Sequence, residues 1–123
     1  MAPLATLKRV YAEPSPDDGT RVLVDRLWPR GLSRERAAVD AWLRDVAPST
    51  DLRRWYRHRP ELAREFRVRY LEELATVAAT ADALRTLREL ADAGPVTLLT
   101  ATAVIDGSHL PVLRDVIAGA APG

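Results

Sequence analysis

Asp25, Arg26, Trp28 and Arg30 share one short stretch, Arg21-Val-Leu-Val-Asp-Arg-Leu-Trp-Pro-Arg-Gly31. A carboxylate can hold or move a proton, and two guanidiniums can grip a phosphate or carboxylate through paired N–H donors. An indole beside them supplies an apolar face with one polar handle. Further along, Ser49, Thr50, Thr100, Thr102 and Ser108 carry hydroxyls, and His109 titrates near neutral pH. These types suit recognition of a small anionic ligand bearing a phosphate or carboxylate. Asp25 and His109 are the proton-handling candidates, and the other eight are candidate ligand contacts. A plainer reading fits the same residues: Asp25 pairs with Arg26 or Arg30 to pin an elbow, Trp28 anchors the core, and His109 is an ordinary first-turn helix residue.

For those residues to meet, they must sit at one edge of a sheet. Val22-Leu23-Val24 is short, apolar and β-branched, as in a strand covered on both faces, so a strand is expected over Arg21–Asp25. Val96–Leu99 reads the same way. Leu4–Ala12 alternates imperfectly and is a third strand. Asp40–Val46 fits either period, but its brevity and the stop at Pro48 favour a fourth. Ser33–Ala38 makes one or two helical turns. Ser49-Thr-Asp51 is an N-cap cluster that opens a helix over Asp51–His58. Pro60 starts another, with Leu62, Phe66, Tyr70 and Leu74 on one face, and the pattern continues from Val77 to Ala93 with Leu84, Leu87, Leu90 and Ala91 inward. Gly94-Pro95 stops it. The last helix, Leu110–Gly119, buries Leu110, Leu113, Val116, Ile117 and Ala120. The expected fold is therefore α/β, a small, mostly parallel sheet of about four strands flanked by helices, in a single domain spanning 1–123. Parallel strands place their carboxyl ends on one edge, where ligands of open α/β sheets bind. Helices starting near Thr50 and Ser108 would present free N–H groups there, which favour anions.

Composition narrows the chemistry. The 123 residues are 47% hydrophobic, enough for a core, and contain no cysteine. Disulfides, iron–sulfur clusters, thiolate zinc sites and cysteine nucleophiles are thereby excluded. His58 and His109 lack zinc-ligand spacing, and Asp17-Asp18 before Gly19 reads as turn chemistry, so neither a metal nor a cofactor is expected. The first residues do not resemble a signal peptide, and no apolar run suits a membrane span, so a cytoplasmic location is expected.

The other notable segment, Arg53–Arg69, holds seven arginines, with Trp55 and Tyr56 among them. Such a face resembles a phosphate-tracking surface for nucleic acid or a protein partner. The net charge of +1 favours instead two solvated helices whose arginines pair with Glu61, Glu65, Glu72 and Glu73. His58 is expected at a solvated helix end.

Ser15-Pro-Asp-Asp-Gly19, Asp25-Arg-Leu-Trp-Pro-Arg-Gly31, Trp42-Leu-Arg-Asp-Val-Ala-Pro-Ser49 and Glu65-Phe-Arg-Val-Arg-Tyr70 together resemble the YeaO-like family of domain of unknown function 488. The resemblance covers nearly the whole chain and implies a small bacterial α/β protein, without implying a reaction. The chain departs from that family's pattern after the last strand. Where relatives carry tyrosine, a basic residue and an acid, this chain has Thr100, Ala103 and Val104, and a His-Asn pair is replaced by Gly107-Ser108. If those groups do chemistry in relatives, the departure implies that much of it is lost here, and two readings stand side by side: a divergent member that binds without turning over, or acid–base catalysis by Asp25 or His109.

Overall fold

The structure is a computed structural model and describes residues 5–119. Leu4 and Ala120, expected in the first strand and last helix, lie outside those residues. Four strands, β1 (Thr6–Arg9), β2 (Thr20–Leu23), β3 (Ala41–Trp42) and β4 (Val96–Thr100), form one parallel sheet in the order β1-β4-β2-β3. The buried strands foreseen at Val22–Val24 and Val96–Leu99 are adjacent at its centre. β2 is in register with β4 through Leu23 and Leu99, and the Val24 N–H extends the ladder to the Leu99 carbonyl at 3.1 Å.

Among the described residues five α-helices accompany the sheet: α1 (Arg34–Ala37), α2 (Thr50–Tyr56), α3 (Ala63–Thr76), α4 (Ala78–Ala93) and α5 (Leu110–Ile117). Period-two alternation divides the strand side chains between two clusters. Val22, Val96 and Leu98 join the larger one with residues from α2 to α5, among them Leu52, Phe66, Tyr70, Leu74, Leu84, Leu87, Leu110 and Leu113. Leu23 and Leu99 face a smaller cluster under α1, where Val10 and Ala37 are buried and Trp28 and Trp42 pack from the side. The phenol of Tyr70 is fully buried, and its O–H donates to the Val46 carbonyl at 2.6 Å. Burial pushes its pKa well above the usual phenol value, so it remains a donor. Among the described residues no helix is long and apolar enough to cross a membrane.

Three expectations are corrected. Asp40–Val46 contributes only Ala41–Trp42 as strand; Arg44–Val46 turns into a short 3-10 helix, because the chain must leave the edge of the sheet to reach Pro48. The Val77–Ala93 segment does not continue the preceding helix. Val77 is extended (φ −83°, ψ 115°), donates to the Glu73 carbonyl and accepts from the Ala81 N–H, so α3 and α4 meet at this one residue. Finally, α2 stops at Tyr56, because Arg57 and His58 are both left-handed (φ 47° and 56°).

Candidate functional site

The carboxyl ends of β2 and β4 open onto a cavity of about 440 Å³. That volume lies in the range usual for small-molecule sites, about 300–1,000 Å³. Asp25, Arg26, Trp28, Arg30, Thr102, Ser108 and His109 all line it. The β2–β4 register explains the placement of Asp25, which follows Val24 and lies beside Thr100. Thr100 Oγ1 donates to its Oδ1 at 2.8 Å, and the Ala101 N–H donates to Oδ2 at 2.8 Å. Thr100 is buried and is not part of the lining; it holds Asp25.

His109, at the start of α5, is also buried. Its Nε2 lies 2.8 Å from the Val24 carbonyl, which can only accept, so Nε2 carries the hydrogen. The Asp25 carboxylate is 3.7 Å from the same nitrogen. Burial lowers the imidazole pKa, and this outweighs the upward pull of Asp25 and of the Val24 carbonyl. The ring is therefore neutral at neutral pH, and its N–H closes the end of β2. The Ser108 hydroxyl donates to the Ile105 carbonyl and accepts from the Leu110 N–H, which uses one of the helix-start donors.

The two elbow arginines differ. Arg26 Nε and Nη2 donate to the carbonyls of Pro48 and Ala47 at 3.0 and 3.1 Å, and its Nη1 lies 3.7 Å from Asp45. It builds the wall. The Arg30 side chain is exposed and forms no hydrogen bond or ion pair among the described residues, while its carbonyl accepts from the Tyr11 hydroxyl at 3.1 Å. Trp28 is half-buried. Its indole N–H donates to the Leu32 carbonyl at 2.7 Å, and its ring meets Trp42 edge-on at 5.5 Å. Trp42 in turn donates to the Asp25 carbonyl at 2.7 Å. The elbow is thus pinned by two indoles from beneath.

Ser49 and Thr50 are not brought to this cavity. The Ser49 N–H and Oγ donate to the two carboxylate oxygens of Glu73 at 2.8 and 2.6 Å, and Oγ accepts from the Leu52 N–H at 3.1 Å. The start of α2 therefore already holds an anion, supplied by the chain itself. Thr50 lies instead in a neighbouring, more open depression lined by Arg26, Leu27, Arg44, Arg53, Arg54 and Arg57.

Arg53 and His58 are among the lining residues that the sequence did not place at the cavity. Arg53 projects from α2 into both the cavity and the depression, and His58 lines the cavity with Nδ1 3.1 Å from the Gly107 carbonyl. Helical spacing from Ser49 could have placed Arg53. The turn that returns His58 has no sequence signal, since left-handed pairs usually announce themselves with glycine. That conformation is costly for any residue with a Cβ, so Arg57→Gly is expected to raise stability by about 0.5–1 kcal/mol. Urea denaturation of the variant checks it. Among the described residues no three His, Cys, Asp or Glu side chains gather as metal ligands.

The family model described as the inactive DUF488-N3 subclade matches residues 5–121. The uncharacterized protein Rv3073c of Mycobacterium tuberculosis H37Rv is 48% identical over 111 residues, covering 90% of this chain and 91% of the relative. The uncharacterized protein YeaO of Escherichia coli K12 is 38% identical over 108 residues, covering 88% and 91%. No solved structure matches this chain. The fold, the elbow motif and these matches over most of the chain make it a member of the YeaO-like DUF488 family, in the subclade described as inactive.

Proposed function

We propose that this chain binds a small ligand bearing a phosphate or carboxylate in the cavity at the carboxyl edge of β2 and β4, and does not transform it. The observation that carries this reading is the imbalance of charge in the lining. The one acidic side chain there, Asp25, already accepts from Thr100 and Ala101, whereas the cations of Arg30 and Arg53 have no carboxylate partner among the described residues. A concave site with unpaired guanidiniums at its mouth and aromatic walls favours an anionic ligand with an apolar part.

Binding without turnover follows from the state of the two proton-handling candidates. Asp25 is engaged in holding the strand ends, and His109 presents its N–H to a backbone carbonyl rather than to the cavity. The residues after β4, Ala101-Thr-Ala-Val104, add no nucleophile beyond one threonine hydroxyl, and the family description as inactive supports the same reading. We place the protein in the bacterial cytoplasm, in keeping with its cysteine-free composition and the bacterial source of its relatives.

Thermal denaturation with inorganic phosphate, adenosine monophosphate and succinate tests the proposal. A ligand at a hundred times its Kd should stabilise the wild type by about 2.7 kcal/mol. Arg30→Ala should abolish the stabilisation, and Arg64→Ala, on the exposed face of α3, should retain it. Equal stabilisation of wild type and Arg30→Ala, or none by any of the three anions, would remove the basis for this function.

A further inference from the structure

The cavity continues into the arginine-lined depression. The two share Arg26, Leu27 and Arg53, and the depression adds Arg44, Arg54 and Arg57. It is larger than the cavity, about 720 Å³, and no acidic side chain lines it. The nearest carboxylate, Asp45, sits 3.7 Å from Arg26. Of its five arginines only Arg26 has an ion pair among the described residues, whereas several arginines elsewhere are matched. Arg21 meets Asp18, Arg67 meets Asp115, Arg69 meets Glu65 and Arg85 meets Asp82. Of the depression's arginines, Arg44 lies over the Trp42 ring, and Arg53 and Arg57 make only local polar contacts with Thr50 and the Arg54 carbonyl. Five like charges around one hollow repel one another, and the natural relief is a multiply charged anion.

A second observation concerns the boundary between the two hollows. Arg57 and His58 are consecutive left-handed residues without glycine. This strained turn sets Arg57 in the depression and His58 in the cavity. Strain of this kind persists where the surrounding structure imposes it, often at ligand sites. Leu27, 73% exposed, stands at the lip shared by both hollows, and half-buried Trp28 lies behind it. An apolar, flat group is accommodated on the cavity side, and a run of negative charge on the depression side.

We infer that the ligand is a nucleotide carrying a chain of two or more phosphates, with its nucleoside in the cavity and its outer phosphates across the arginines of the depression. This rests on the reading of the cavity as an anion site and names the ligand class for it. A long nucleic-acid strand fits less well. Beyond the depression the same run of arginines is mostly matched by acids, Arg59 by Glu61, Arg67 by Asp115 and Arg69 by Glu65, with Arg64 the exception.

The test is calorimetric titration with AMP, ADP and ATP, without magnesium, on wild type, Arg30→Ala and the double variant Arg54→Ala/Arg57→Gly. Each added phosphate should tighten binding to the wild type about tenfold, the gain from one charge-assisted contact set. In the double variant ATP should fall to the level of AMP. Arg57→Gly relaxes the backbone, so that loss is not a loss of folding. Arg30→Ala should weaken all three nucleotides together. AMP and ATP binding equally well would overturn the polyphosphate inference and leave the cavity reading standing. Single-stranded oligonucleotides binding more tightly than ATP, with affinity growing with length, would overturn it in favour of a strand-tracking surface. If neither nucleotides nor phosphate bind, the cavity reading falls and this inference falls with it.

Discussion

Asp18→Ala is expected to lower the folding free energy by about 3–5 kcal/mol, the usual cost of stranding one member of a buried ion pair. Its partner Arg21 is only 4% exposed. Arg21 Nη1 donates to Asp18 Oδ2 at 2.7 Å, while Nε and Nη2 donate to the carbonyls of Ala38 and Ala37. Lys8 Nζ lies 3.0 Å from the same carboxylate oxygen, and the Ser15 N–H donates to it at 3.0 Å. Removing the carboxylate leaves a buried guanidinium with backbone carbonyls and no counter-charge. Burial pushes the Asp18 carboxyl upward, but the donors from Ser15, Lys8 and Arg21 together hold it below its ordinary value. The folded state thus binds this proton more weakly than the unfolded state. The contribution is fully present above the ordinary carboxyl range and is lost as pH falls through the lowered folded value. Urea denaturation should therefore show a wide gap between wild type and Asp18→Ala at neutral pH that narrows in acid. A gap that stays constant with pH would mean the carboxylate charge is not what stabilises this corner.

Gly19→Ala is expected to cost a comparable amount, about 3–5 kcal/mol, from backbone strain and a clash that neither side can relieve. Gly19 has φ 62° and ψ −135°, a conformation essentially reserved for glycine. A Cβ there would lie 2.3 Å from the Pro95 carbonyl oxygen. That oxygen is held in place, because it accepts from the Thr20 N–H at 2.9 Å. Any shift would disturb the start of both central strands. The measurement is again the urea midpoint, with the slope showing whether the native state has loosened. A variant within about 1 kcal/mol of wild type would show that the β2–β4 entry tolerates a shift this account forbids.

Much of the architecture could be read from local pattern. Val22–Val24 and Val96–Leu99 announced the two central strands, Ser49 marked the start of α2, and Phe66, Tyr70 and Leu74 marked the buried face of α3. These features depend on neighbours three or four positions away, or on alternation. What could not be read depends on distant partners. Asp17-Asp18-Gly19 has turn chemistry, and it does form a capped 3-10 turn, but nothing nearby shows that Asp18 is sealed against Arg21 and Lys8 under the sheet. Ser49 is a true helix cap, yet its role as a ligand contact depended on an open helix start, and Glu73 from the next helix closes it. Val77 interrupts a run rich in alanine that contains no glycine or proline, so the break between α3 and α4 had no local marker. At the cavity, the elbow could be located from its motif. Which of its arginines stays free could not, because Arg26 finds its carbonyls at Ala47 and Pro48, across the fold.

The strand order has a consequence for how this chain comes to exist. The strand that joins the sheet together is the last to be synthesised, for β4 lies between β1 and β2. Arg9, at the end of β1, reaches carbonyls as far away as Thr102, 93 positions later. Contacts of such long range make for slow assembly, since loop closure must precede any gain from pairing. On the ribosome, β1 waits unpaired and β2 has only the two-residue β3 beside it until Val96–Thr100 emerges. A chain released before that point would display bare strand edges, the kind of surface that draws other chains into aggregates.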